Sequence, residues 1–195
     1  MERFLTRLID LCVLPGRLAG WLLLPLILFV CLAVWAAQTG RNGFLAWQGD
    51  VFLLGDGITV NTLIDAQWHI FAVLVLFGGA YAFRDNQHVS VDFLSATLSP
   101  RARMIIRTLG DLAFVLPFCA IIVWFGTKFA MTSFNSGEGS NYGGLMDRWL
   151  IKACVPAGFA LLGVAATARA LRTILRLARG LDTDPDPHSP EAPST

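Results

Sequence analysis

Long apolar blocks separated by short polar stretches dominate this chain. Residues 18–37 hold no charge, and blocks at about 66–83, 108–131 and 149–171 repeat the pattern with few polar positions. Twenty helical residues rise about 30 Å, the thickness of a bilayer's hydrocarbon core. A helix on a soluble domain would show a polar face at every turn. The pattern therefore predicts an all-α integral membrane protein: a single four-helix transmembrane domain over residues 1–181. The tail, 182–195, carries four prolines among Asp, Ser and Thr and is expected to be disordered.

The flanks carry their own signals. Phe4, Leu5, Leu8, Ile9 and Cys12 recur at helical spacing, with Arg3, Arg7 and Asp10 between them. This predicts a short amphipathic helix on the inner membrane surface, ended by Pro15-Gly16. The basic start of the first block is that of a signal peptide, but its apolar run exceeds the roughly 7–15 residues of a signal core. The loop 38–65 is apolar for a loop, with Phe44, Trp47, Val51, Phe52 and Leu53, and is expected to pack at the outer interface or against a partner. Ser99-Pro100 reads as an N-cap and first-turn proline opening the third helix.

Charge sets the orientation. With a cytoplasmic N-terminus, 11 of the 15 basic residues lie inside, from Arg3 to Arg179. Only Arg41, Lys128, Arg148 and Lys152 lie outside. That asymmetry places both ends in the cytoplasm. Overall, 55% of residues are hydrophobic and 15% charged, well below the usual charged fraction of about a quarter. A net charge of +1 by itself says nothing about a nucleic-acid partner; no nucleic acid is expected, and membrane lipid is the expected surrounding. Cys12, Cys31, Cys119 and Cys154 have no paired spacing and read as small apolar filler.

Candidate chemistry is sparse. Asp111, Lys128, Lys152 and Arg169 lie near the span ends rather than at mid-depth, and Asp111 can pair with Arg107 one turn earlier. Asp65 and His69 share a helix face, which allows a hydrogen bond or a proton relay. Heme ligation would need histidines facing each other at one depth, and this topology puts His69 and His88 on opposite sides. No acid occupies the middle of a span, where ion-coupled transporters carry one. No nucleotide loop, metal cluster or nucleophilic triad is present, so the chain is expected to be no enzyme and to hold no cofactor or metal. Gly78-Gly79 and Gly158 with Gly163 are small-residue patches of the kind that let helices approach closely.

Several stretches together resemble a known family. They are Gln67-Trp-His-Ile-Phe, then Gly78-Gly-Ala-Tyr-Ala-Phe-Arg-Asp85, His88-Val-Ser-Val-Asp92 and Leu98-Ser-Pro-Arg-Ala-Arg103. Gly143-Gly-Leu145 and the run from Trp149 to Leu162 complete the pattern. It resembles the small, DctQ-like (Q-type) membrane subunit of tripartite ATP-independent periplasmic (TRAP) transporters. The resemblance implies a bacterial inner-membrane protein that braces a large TRAP membrane subunit. A periplasmic solute-binding protein would deliver an organic acid, carried inward with sodium. Under that implication the partner contacts are expected at Trp68, His69, Gly78, Gly79, Tyr81, Trp149, Lys152 and Pro156. The periplasmic docking face is expected at Glu138 and Tyr142. Met146 departs from the family, whose members often carry proline there. The alternatives are an autonomous four-helix exporter, which needs a charge in span one, and a redox-complex anchor, which needs facing histidines.

The orientation is directly testable. In a cysteine-free background, Asp50→Cys and Ser140→Cys should each react with an impermeant thiol reagent added from the periplasm. Labelling only after the inner membrane is opened would refute cytoplasmic ends.

Overall fold

A computed structural model describes residues 2–84, 99–140 and 143–180. His88 to Asp92, Tyr142 and the tail lie outside these described residues. Helix α1 (Glu2–Ala19) passes through a 3-10 turn, Gly20–Leu22, into α2 (Leu23–Thr39). A hairpin of β1 (Gly43–Val51) and β2 (Gly55–Thr59) precedes α3 (Val60–Arg84). Then come α4 (Pro100–Gly110), a π-helical segment Asp111–Val115, α5 (Leu116–Ser136) and α6 (Trp149–Ala178). Among the described residues, four helical stretches are long and apolar enough to cross a bilayer: Phe4–Thr39, Val60–Arg84, Arg101–Ser136 and Trp149–Ala178.

The helices stand in a row. α2 packs on α3, α3 on α6, and α6 on α5, while α1 lies against α3 and α6. No comparable packing joins α2 to α5 or α6, or α3 to α5, among the described residues. Glycines set the seams. A Cβ at Gly158 would lie 2.8 Å from the Leu76 carbonyl oxygen, and one at Gly126 would lie 3.2 Å from Pro156 Cδ. Backbone therefore meets backbone or a ring directly, the packing that small residues allow between membrane helices.

α1 departs from expectation at its end. Leu5, Ile9, Cys12 and Val13 are buried at i, i+4, i+7 and i+8, and Thr6, Arg7 and Asp10 are exposed, so the amphipathic reading holds. But the helix does not stop at Pro15-Gly16; it runs on to Ala19. The reason lies across the seam. A Cβ at Gly16 would collide with the Phe77 carbonyl oxygen, so glycine lets α1 lie directly against α3. Packing holds the turn that proline weakens, as neighbouring helices do for prolines in membranes.

The end of the row where α3 finishes is marked by two ion pairs. Arg84 meets Asp10 at 2.8 Å, with side chains 42% and 46% exposed. Arg169 grips Asp111 with two bonds, Nε to Oδ2 at 2.9 Å and Nη2 to Oδ1 at 2.7 Å. Asp111 is 6% exposed. The partner of Asp111 is thus Arg169 of α6, not Arg107 on its own helix. Arg169 also donates from Nη1 to the Phe83 carbonyl oxygen at 3.1 Å, with its guanidinium 3.5 Å from the Phe83 ring centroid. One side chain so joins α6, the last turn of α3 and the π-helical segment. The wide turn begins at Asp111, where it presents the carboxylate to α6. From Trp149 to Arg169 is 20 residues, about 30 Å, so the two aromatic and ionic levels bracket one bilayer core.

At the helix starts the local chemistry is direct. Ser99 Oγ accepts from Ala102 N at 3.3 Å with Pro100 in the first turn, as the sequence predicts for this cap. Thr59 and Thr62 cap α3 reciprocally: Thr59 N donates to Thr62 Oγ1 at 3.1 Å, and Thr62 N to Thr59 Oγ1 at 3.2 Å. That box starts α3 at Val60, six residues before its apolar block.

The two ion pairs should differ sharply when broken. Asp111→Ala leaves Arg169 buried without its carboxylate and should cost about 3–5 kcal/mol. Asp10→Ala removes an exposed pair and should cost about 0–1 kcal/mol. Thermal unfolding in mild detergent would compare them; equal losses would remove Arg169 from its central role.

Candidate functional site

Two surfaces stand out, one across the helix ends at the hairpin and one along α3. The first is a cap in which the hairpin and the α5–α6 loop are fastened together. β1 and β2 pair antiparallel, Gly43 with Thr59, Leu45 with Ile58, Ala46 with Gly57 and Val51 with Gly55, with irregularities between. Trp47 Nε1 donates to the Gly55 carbonyl at 2.8 Å and ties the strands at their far end. Near the α2 end, Phe44 stacks on Trp35, with centroids 6.4 Å apart, and the Arg41 guanidinium lies 5.7 Å from the Trp35 ring centroid. The apolar loop residues noted in the sequence thus belong to a hairpin at the helix ends.

The hairpin tip locks onto the second loop. Met146 N donates to the Leu53 carbonyl at 2.9 Å, and Leu53 N to Asp147 Oδ2 at 3.4 Å. Leu53 (φ 70) and Asp147 (φ 54) both hold left-handed backbone, which non-glycine residues seldom adopt. Each strained position is fastened to the other's segment, the kind of over-determination that lets strain persist. Asp65 Oδ2 accepts from Leu145 N at 3.2 Å, and Thr59 Oγ1 donates to the Gly143 carbonyl at 3.3 Å. Asp65 is therefore committed to this loop. His69 Nδ1 lies 2.7 Å from the Asp65 backbone oxygen, not its carboxylate. The two side chains do not form a relay. His69 Nε2 is buried without a hydrogen-bond partner among the described residues.

Glu138 sits at the other edge of the cap. Its carboxylate accepts from Lys152 Nζ and from Ser133 Oγ, the latter at 2.6 Å. The Lys152 hydrogen bond first, then that of Ser133, holds the Glu138 carboxyl below its ordinary range. Lys152 also lies 4.3 Å from the Phe129 ring centroid. Trp149 packs edge-to-face on Phe134, centroids 5.2 Å apart. Lys152, Trp149 and Pro156 thus each make contacts within the chain, Pro156 filling the seam opposite Gly126.

The α3 surface is different. Ile64, Trp68, Phe71 and Val75 are all exposed at spacings of three and four, and Trp68 is 68% exposed. A Cβ at Gly78 or Gly79 would meet nothing within 4 Å. So Gly78 and Gly79 open outward, while Gly16, Gly126, Gly158 and Gly163 face the chain's own helices. Tyr81 is exposed, and its Cβ lies against the Gly16 approach. The exposed sides of α2 and α5 are built instead from large groups, such as Leu24, Ile27, Phe118 and Phe125.

Some functional contacts escaped the sequence reading. The Arg169–Asp111 pair spans 58 residues, yet helices three and four run antiparallel, which puts the start of one beside the end of the other. That topological signal was available. The Met146–Leu53 bond had no local signal beyond the missing proline.

Compared with known proteins, residues 28–176 match the family described as tripartite ATP-independent periplasmic transporters, DctQ component. No curated protein and no solved structure matches the chain.

The Met146 amide explains what its departure from proline permits here, because proline could not donate to Leu53. Met146→Pro should lose that bond, about 1 kcal/mol, and speed proteolysis of the cap. Met146→Leu keeps the donor and should leave both unchanged. Equal behaviour of the two variants would show that the amide does not fasten the hairpin.

Proposed function

The chain belongs to the DctQ family, a component of TRAP transporters, and from that premise we propose that it is the small, non-catalytic membrane subunit that braces the large one. In this reading the large subunit carries an organic acid inward with sodium. A periplasmic solute-binding protein delivers the acid. The chain sits in the bacterial inner membrane with both ends in the cytoplasm.

The observation that carries the reading is the outward stripe on α3. Trp68, Phe71 and Val75 lead down to Gly78 and Gly79, which are open to whatever lies outside the chain. Large apolar side chains satisfy lipid, but a glycine pair facing outward admits another helix's backbone. An open row of helices, with no acid at mid-depth in any span, suits a scaffold rather than a carrier. Trp68, Gly78, Gly79 and Tyr81 form the proposed contact with the large subunit. His69, Trp149, Lys152 and Pro156 support it from within, by holding the outer ends of α3 and α6. The cap around Glu138 is the proposed landing surface for the solute-binding protein.

Gly79→Leu fills the open space without touching the chain's own helices. It should leave the chain inserted but sharply reduce co-purification of the large subunit. The chain alone in liposomes should give no sodium-dependent carboxylate uptake. An undiminished complex would sink the α3 contact, and robust uptake by the isolated chain would sink the accessory role.

A further inference from the structure

Three basic side chains of α5 and α6 lie over aromatic rings. Arg169 sits 3.5 Å from the Phe83 ring centroid, Lys152 4.3 Å from that of Phe129, and Lys128 4.8 Å from that of Trp124. At the first two a carboxylate completes the arrangement: Asp111 accepts from Arg169, and Glu138 from Lys152. At Lys128 the ring is present and the carboxylate is not. No acid lies within ion-pair distance of its ammonium among the described residues, and Asp111 and Glu138 are already committed.

Depth and direction decide what can supply the missing charge. Gly126 meets Pro156 and Cys119 meets Gly163, so α5 runs antiparallel to α6 with Trp124 level with Gly158. Gly158 lies about 14 Å along α6 from Trp149 and about 16 Å from Arg169. The Trp124 ring is therefore near the middle of the span. The sequence places Lys128 near a span end, but helical side chains lean toward the helix N-terminus. That lean carries the ammonium over Trp124, toward mid-depth. Lys128 and Trp124 are both exposed. Lys128 is turned about 200° from Gly126, so it points away from α6. α5 is the last helix of the row, and no other span of the described residues packs on that edge.

An ammonium in hydrocarbon is costly, and intramembrane cations are as a rule paired. The Trp124 ring attracts the cation but brings no counter-charge. A second copy of this chain cannot bring one, because no acid occupies the middle of any of its spans. Resting on the accessory-subunit reading above, we propose that the free edge of α5 is a second contact with the large membrane subunit, which presents a carboxylate from a membrane helix to Lys128. The pair repeats between chains what Arg169 and Lys152 make within this one. The contact is separate from the α3 stripe, since α6 stands between α3 and α5.

The test uses the chain co-expressed with its large subunit. Membranes are treated with an apolar carbodiimide, which activates a buried carboxylate for attack by a neighbouring amine. Mass spectrometry should find Lys128 joined to an Asp or Glu of the large subunit. Lys128→Arg should lose that link yet keep the complex. Lys128→Glu brings two carboxylates together and should cut co-purified large subunit by at least about tenfold, with the chain still inserted. Exchanging the linked acid for lysine in the large subunit should restore it. Absence of the link, or an undiminished Lys128→Glu complex, would mean that the ammonium reaches headgroups or water, and would overturn the contact. If Gly79→Leu disrupts the complex in the same preparation, only the α5 contact falls. A Lys128→Glu loss that the charge exchange does not repair would be structural damage and would overturn it as well. Failure of the unsubstituted chain to capture any large subunit would overturn both this contact and the reading it rests on.

Discussion

The spans of this chain stand in a row instead of closing into a bundle: α2 packs on α3, α3 on α6 and α6 on α5, with α1 laid against α3 and α6. In a bilayer this is allowed. Lipid accepts apolar side chains as readily as a core does, so burial alone does not force helices into a closed ring. What holds the row is close approach at its seams: α1 on α3 at Gly16, α3 on α6 at Gly158, and α6 on α5 at Gly126 and Gly163. Once those seams are fixed, the faces of the row are determined. So is the contrast between glycines used internally and the Gly78-Gly79 pair that faces out.

The two ends of the row are fastened by different physics. At one end, the largely buried Arg169 guanidinium joins α6 to Asp111, the Phe83 carbonyl and the Phe83 ring. At the hairpin end, fastening is distributed over backbone bonds among Leu53, Met146, Leu145 and Gly143, with Asp65 and Thr59 from the start of α3. Fixing both ends suits a part that must stay still while a neighbouring domain moves. Lys152 and Pro156 make contacts within the chain that help fix α6.

Much of this was legible in the chain. Four long apolar blocks set the spans, Ser99-Pro100 marked a helix start, and the 3–4 spacing of Leu5, Ile9 and Cys12 marked α1. Loss of legibility has physical causes at particular residues. Pro15-Gly16 reads as a break because a free helix would end there, but Gly16 is a packing contact that only the fold reveals. The hairpin 43–59 hides because its strands are irregularly paired and its tip, Phe52-Leu53-Leu54, carries no turn residues; Leu53 takes a left-handed backbone only because Met146 and Asp147 hold it. Asp65 and His69 share a helix face, yet each is drawn away, Asp65 to Leu145 and His69 to a backbone oxygen. Of the candidate partner residues, the pattern identified Gly78 and Gly79 as small, but only the three-dimensional arrangement distinguishes them from Gly158 and Gly163.

The central claim is that protein, not lipid, covers the outward face of α3 in the assembled transporter. A spin label at Gly78→Cys can be compared with one at Ile27→Cys on the aliphatic face of α2, in the purified membrane complex, by relaxation with molecular oxygen dissolved in the bilayer. The account predicts strong oxygen collision at position 27 and marked shielding at 78, with the shielding lost when the chain is reconstituted alone. Equal oxygen accessibility at both positions in the complex would contradict it.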